Sequence, residues 1–284
     1  MEKTYSEELV WIQSEDGIRL NGAVIRPIGP SKPVVVVHVP GWDISFAHPL
    51  HLLVSRALAG QGYASVTGNN RGWAFGEIVE QHGGYTVIGA GWERFQDCPL
   101  DIGAWVDFAL GLGFRGVALL GHSLGSAKIV AYQAQRQHPQ VAGLVCASPA
   151  PITFPPIAAE VRATAQRLVE QGRGSELLPW GSFGPDGTLS ARTLLDWTPE
   201  ARAALGMFGV TTPEPLIGQI RCPLLLFYGT GGDVGGAQEL ERIRSQATAA
   251  SRVDTRLFVG ANHPYSGHEQ EVGAGIAAWL DTLL

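Results

Sequence analysis

The chain has 284 residues, 45% hydrophobic and 16% charged, the composition of a globular protein large enough for one α/β domain or a core domain carrying an insertion. Its 20 Lys and Arg against 26 Asp and Glu leave a formal charge of −6, and no basic run is present to track phosphates, so nucleic acid is excluded as an expected partner. Cys98, Cys146 and Cys222 are odd in number and lack C-x-x-C spacing, so they read as buried free thiols, and no metal or cofactor is expected.

The opening MEKTYSEELVWIQ is charged, and no long apolar segment or membrane span is visible, so a cytoplasmic location without membrane contact is expected. ELVWIQ and IRLNGAVIRP flank SEDG, an Asp-Gly turn signal, and predict a β-hairpin. PVVVVHV at 33–39 is an unbroken β-branched run, the mark of a strand buried on both faces of a parallel sheet. Helix and strand then alternate. Leu50, Leu53, Val54, Ala57 and Leu58 share a helical face before strand ASVTG, and Ile102, Trp105, Val106, Ala109 and Leu110 repeat the spacing before GVALLGH. A helix is predicted over Gly125–Gln137, ended by Pro139, followed by strands VAGLVCAS, PLLLFYG (223–229) and TRLFVG (255–260). Val272, Ile276, Trp279, Leu280 and Leu283 line a closing helix. The fold class is therefore α/β, with a mostly parallel central sheet and helices on both faces, and with ligands at the carboxyl ends of the strands.

Two stretches break the alternation. Residues 150–215 are rich in Pro, Gly and Trp and lack a buried-type strand, so they are read as a helical lid between two parts of the core, 1–149 and 216–284. Residues 71–95, RGWAFGEIVEQHGGYTVIGAGWERF, are too long for an ordinary connection and read as an irregular functional loop.

GHSLG at 121–125 fits G-x-S-x-G, in which a sharp turn lifts the serine above the sheet; the preceding VALL and following SAKIVAYQ supply the required strand and helix. Ser123 is thus the candidate nucleophile. A hydroxyl needs a base to take its proton and an acid to orient that base, in the chain order serine, acid, histidine. Asp233 is the one carboxylate in TGGDVGG after PLLLFYG. ANHPYSGHE after TRLFVG contains His263 and His268. His263 is preferred as nearer the strand end, and His268, near the last helix, is the alternative. An oxyanion needs two donors: the N–H of Leu124, and the N–H of Trp42 in PGWD, with Gly41 allowing close approach.

With these pieces in place the chain resembles the α/β-hydrolase superfamily over nearly its whole length, through GHSLG, Asp233 and GANH. NNRGWAFG, ERFQDCPLDI and GANHPYSGHE are similar to hydrolases grouped with fungal siderophore esterases such as the fusarinine C esterase. This resemblance implies a serine enzyme with a lid that hydrolyses esters. HVPGW departs from the more usual His-Gly pattern in the loop of the second oxyanion donor.

Other signals carry less. GLGFRG at 111–116 runs from helix into strand, the reverse of a dinucleotide site, and HEQE lacks the second histidine of a zinc protease. His48 and His51 read as solvated, Asp97 and Asp101 as helix caps, and His122 as a residue that packs or bonds locally. Trp73, Tyr85, Trp92, Trp180 and Phe183 form either a substrate pocket or lid packing. The expected function is hydrolysis of a small-molecule carboxylic ester, lactone or thioester. Acyl transfer, cyclisation or lyase chemistry on the same triad, and a non-catalytic binding protein, are the alternatives; the assembly is open, with a homodimer carried forward.

Overall fold

The computed structural model describes residues 4–150, 157–184, 187–198, 207–208, 214–232 and 234–284. The hairpin forms at the Asp-Gly turn, pairing β1 (Tyr5–Gln13) antiparallel with β2 (Arg19–Pro27). The β-branched run becomes β3 (Val34–Val39), every residue of it buried. It is followed by α1 (Pro49–Gly60), β4 (Ser65–Gly68), β5 (Glu77–Gln81), β6 (Gly84–Ile88), α2 (Cys98–Gly111) and β7 (Gly116–His122). Then come α3 (Leu124–Arg136), β8 (Val141–Ala147), α4 (Ala159–Glu170), α5 (Ala191–Asp196), β9 (Leu224–Gly229), α6 (Ala237–Gln246), β10 (Val253–Phe258) and α7 (Glu269–Asp281).

Eight strands form one sheet in the order β1-β2-β4-β3-β7-β8-β9-β10. Only β2 runs against its neighbours; the pairs from β4 to β10 are all parallel. Alternation along each strand feeds two cores. Val35, Val37 and Val39 of β3, Val117 and Leu119 of β7, and Leu224 and Leu226 of β9 pack toward α2, α3 and α6. Val34, Val36, Ala118, Leu120, Leu225 and Phe227 pack toward α1 and α7 on the other face.

Two details differ from the expectation. β10 ends at Phe258, because Gly260 turns the chain out at φ 79° and leaves Val259 79% exposed. The stretch 71–95 is not irregular: β5 and β6 pair as a hairpin, joined by His82 and Gly83 at φ 48° and 78°. Two central residues with positive φ suit the twist of a tight hairpin, but His-Gly is not the usual Asn-Gly or Asp-Gly signal. In 157–198, the described residues form α4, α5 and one isolated bridge between Leu177 and Ser190. This segment lies on the end of 71–97: Ser190 N–H donates to Gly91 O at 2.7 Å and Trp92 Nε1–H to Ser175 O at 2.8 Å. No helix among the described residues is long and apolar enough to cross a membrane.

Candidate active site

β3 and β7 lie side by side and parallel, with Val39 opposite Gly121, so the residues after them emerge together. Their connections diverge, α1 packing with α7 and α3 with α2 on the other face. That divergence opens the crevice in which ligands of parallel sheets sit. At its edge Ser123 adopts φ 55° and ψ −122°, and α3 begins at Leu124. A residue with a Cβ holds such a conformation only where its surroundings impose it. Here Ser123 N–H donates to Ala147 O at 2.9 Å, and Ser126 Oγ donates to Gly121 O at 2.8 Å.

The elbow glycines contribute space rather than unusual dihedrals. A Cβ on Gly121 would collide with Gly125 O, and one on Gly125 with Val39 O. A Cβ on Gly41 would lie 3.1 Å from His122 O and 3.2 Å from Ser123 Cβ. The Gly41–Trp42 loop therefore rests against the serine, while Leu124 opens a helix whose first N–H groups have no intrahelical acceptor. Trp42 is half-buried, stacked on Trp197 at 6.3 Å and tilted against Phe183 at 5.3 Å.

His263 stands in the loop between β10 and α7, and its ring centre is 4.8 Å from that of His122, the residue before Ser123. His122 Nε2–H donates to His263 O at 2.9 Å, and Ser148 Oγ is 3.4 Å from the same oxygen. The loop after β9 packs on this segment: Gly231 N–H donates to Ala261 O at 2.8 Å, and a Cβ on Gly232 would lie 3.3 Å from His263 N. Asp233 lies outside the described residues. The alternative base, His268, occupies the N-cap position of α7, with its Nδ1 3.3 Å from Glu271 Oε2. It belongs to the helix start.

The remaining histidines correct the sequence reading. His122 bonds to a residue 141 positions away, not locally. His51 is 1% exposed rather than solvated, and His48 caps α1 by accepting Leu50 N–H at 3.2 Å. His38, also 1% exposed, has Nε2 3.2 Å from Ser55 Oγ. Burial pushes the pKa of His38 and of His122 down to about 3, and repulsion between His122 and His263 adds to the effect on His122. Burial, followed by His38, also holds His51 well below the ordinary histidine value. Neutral imidazoles thus stand behind the elbow.

Two buried ion pairs seat the excursion 71–97. Arg71 Nη2 is 2.7 Å from Asp101 Oδ1 and 2.9 Å from Asp16 Oδ1, and Asp101 also accepts Arg71 N–H at 2.8 Å. Asp101 is therefore a partner for Arg71 rather than a cap, and Asp97, at the N-cap position without a side-chain cap bond, lies 3.7 Å from the same guanidinium. Burial works against the Arg71 charge, but Asp101 and Asp16 outweigh it and raise its pKa. At the far end Lys128 Nζ lies 2.5 Å from Glu93 Oε1, with side chains 0% and 2% exposed. Gly72 makes room for that carboxylate, which a Cβ there would strike.

The aromatic residues divide among separate places. Trp73 lines an open groove of about 550 Å³ with Trp11 and Tyr85. Trp92 and Trp180 meet through Phe75, at 5.8 and 6.4 Å, and Trp180 is 68% exposed. Phe183 and Trp197 are brought onto Trp42 by ring contacts, and the Trp73 backbone pairs with Asp43 beside it. Sequence reasoning missed His122 and Ser148 as neighbours of His263. Ser148 follows β8 as Ser123 follows β7, a strand-end position that could have drawn notice. Among the described residues no group of three or more His, Cys, Asp or Glu could hold a metal ion.

The chain belongs to the alpha/beta hydrolase family, whose family model matches residues 34–278. No curated protein matches its sequence. Among solved structures it is similar to Est1E from Butyrivibrio proteoclasticus with ferulic acid bound, at 16% identity and a TM-score of 0.66, over 96% of this chain and 98% of that one. It is similar also to the esterase domain of a Rhodothermus marinus protein, at 20% identity and a TM-score of 0.61, over 96% and 97% of the two chains. A thermostable carboxyl esterase from Bacillus coagulans, in complex with glycerol, aligns at 14% identity and a TM-score of 0.70, over 98% and 99%. At these identities the likeness is one of fold.

Proposed function

We propose that the protein is a serine esterase acting on a small-molecule carboxylic ester, lactone or thioester. The observation that carries this reading is Ser123 in its left-handed turn between β7 and α3, against Gly41 and one residue from the His122–His263 contact. Ser123 Oγ attacks the acyl carbon while His263 takes its proton; Asp233 orients His263, and the N–H groups of Leu124 and Trp42 receive the oxyanion. His263 then protonates the departing alkoxide or thiolate. Water, deprotonated by the same histidine, attacks the acyl-enzyme and frees Ser123.

The esterase names of the structural neighbours support an ester as substrate, and ferulic acid in one of them makes aryl esters a natural part of the first panel. Residues 150–215 act as the lid, and Trp73, whose backbone pairs with Asp43 beside the Gly41–Trp42 loop, is the aromatic group offered to substrate. The narrower likeness to siderophore esterases rests on NNRGWAFG, ERFQDCPLDI and GANHPYSGHE and adds siderophore esters to that panel.

Turnover of aryl, alkyl and siderophore esters by the wild type, Ser123→Ala, His263→Ala and His268→Ala tests the assignment. Losses of about 10⁴-fold or more are expected for Ser123→Ala, with a large loss for His263→Ala and little change for His268→Ala. Retained turnover in Ser123→Ala overturns the mechanism, and loss in His268→Ala but not His263→Ala reassigns the base. Product partition between water and added alcohol separates hydrolysis from acyl transfer.

A further inference from the structure

A triad fixes the side chain of its base through the acid, but the base's backbone must also be placed. Here the His263 main-chain oxygen is reached from two neighbouring strands, by His122 Nε2 at 2.9 Å from the end of β7 and by Ser148 Oγ at 3.4 Å from the end of β8. Ser148 Oγ also lies 2.7 Å from Tyr265 OH, and with Tyr265 as the donor in that contact the Ser148 proton is available to His263 O.

We propose that His122 is a positioning residue for the base: as the neutral Nε2–H tautomer it pins the His263 backbone to the strand that carries Ser123, and so sets the distance between nucleophile and base. The inference rests on the Ser123–His263 reading above and deepens it.

The tautomer follows from hydrogen-bond chemistry. His263 O can only accept, so the proton must be on His122 Nε2. That leaves His122 Nδ1 as the ring's open acceptor, and it is buried without a partner. It lies beside a cavity of about 10 Å³ whose walls include Leu50, Val54, Leu120 and Val272, together with His51. Such surroundings disfavour the imidazolium, consistent with a His122 pKa near 3. Neutrality has a use in the proposed chemistry. When His263 takes the serine proton it becomes a cation 4.8 Å from the His122 ring, and a charged His122 would oppose that step.

Among the described residues, the titratable groups facing His122 are His51 and, beyond it, His48 from α1, and His263 and Tyr265 from the β10–α7 loop; His38 of β3 shares the cavity wall. Burial keeps His38 and His51 in the neutral form and raises the Tyr265 pKa, so His263 is the group beside His122 that gains charge in the reaction.

Two variants and one measurement on the wild type test the proposal. His122→Leu removes the donor at similar volume, whereas His122→Gln keeps an N–H able to reach the carbonyl. The Leu variant is expected to lose about 100-fold in kcat, with KM changed by less than about 3-fold, and to label with a fluorophosphonate at Ser123 correspondingly more slowly. The Gln variant should recover at least about tenfold of that loss. Equal losses in both variants, or a folded Leu variant that labels at the wild-type rate, overturn the positioning role. Nitrogen-15 NMR of histidine-labelled wild-type protein needs no variant to fold. A neutral Nε2–H ring at His122 that does not titrate across about pH 5 to 8 is expected, and an Nδ1–H ring or ordinary histidine titration overturns the assignment. Wild-type protein that never labels at Ser123 overturns the esterase reading as well, whereas labelling that is indifferent to His122 overturns this inference alone.

Discussion

The elbow corner and the excursion from Arg71 to Asp97 both border the crevice, yet they are held by opposite means. At the corner, backbone meets backbone: Gly125 against Val39 O, Gly121 against Gly125 O, and Ser123 N–H on Ala147 O. The excursion is held by buried charge, Arg71 on Asp101 and Asp16 at one end and Glu93 on Lys128 at the other. A corner made of close backbone contacts has few alternative states. A segment tied by buried ion pairs is seated only while each charge keeps its partner, because an orphaned charge in the interior is costly.

The contrast can be broken most strongly at Lys128. Lys128→Met leaves Glu93 charged and uncompensated and is expected to cost about 3–5 kcal/mol in urea unfolding. Adding Glu93→Leu should restore much of that loss, since removing both charges removes the penalty. A single-variant loss below about 1 kcal/mol would show that the pair does not seat the excursion.

At the corner, Gly125→Ala drives a methyl into the Val39 carbonyl and is expected to cost about 1–3 kcal/mol. Turnover at a temperature where the variant is folded should fall further than stability alone explains. Wild-type turnover in this variant would show that the corner tolerates what its packing forbids.

Acid acts on the buried histidines. His38 and His122 have folded pKa values of about 3, below the unfolded value near 6.5, so between these limits the unfolded chain binds more protons than the folded one. Their neutral forms favour folding fully above about pH 6.5, and that contribution is lost as pH falls toward 3. The slope reaches about 1.4 kcal/mol per pH unit per histidine. Unfolding measured from pH 7 to 4 should show it, and replacing His38 by Asn should make it shallower. The smallest effect is expected at Trp180. Its 68% exposure limits the stability change of Trp180→Ala to about 0.5 kcal/mol, and a larger loss would reveal burial that this conformation lacks.

What the sequence made legible follows the same division. The run VVVVHV and its helix-strand successors announce a parallel sheet because burial on both faces leaves no polar alternation, and the elbow is readable because its strand, turn and helix are contiguous. The elements that escaped depend on distant partners. Nothing near Asp101 marks it as the mate of Arg71, and nothing in GHSLG shows that His122 reaches His263. The β5–β6 hairpin stayed hidden because its strands are largely exposed and its turn is His-Gly. At β10 the Thr-Arg-Leu-Phe-Val-Gly run continued past the true end, since Gly260 decides where the chain leaves the sheet.

The proposed chemistry depends on one serine. Treatment of folded wild-type protein with a fluorophosphonate, followed by peptide mass spectrometry, should place a single adduct on Ser123, with labelling slowed sharply in His263→Ala. Folded protein without that adduct, or with the adduct on another residue, would contradict the proposed nucleophile and the mechanism built on it.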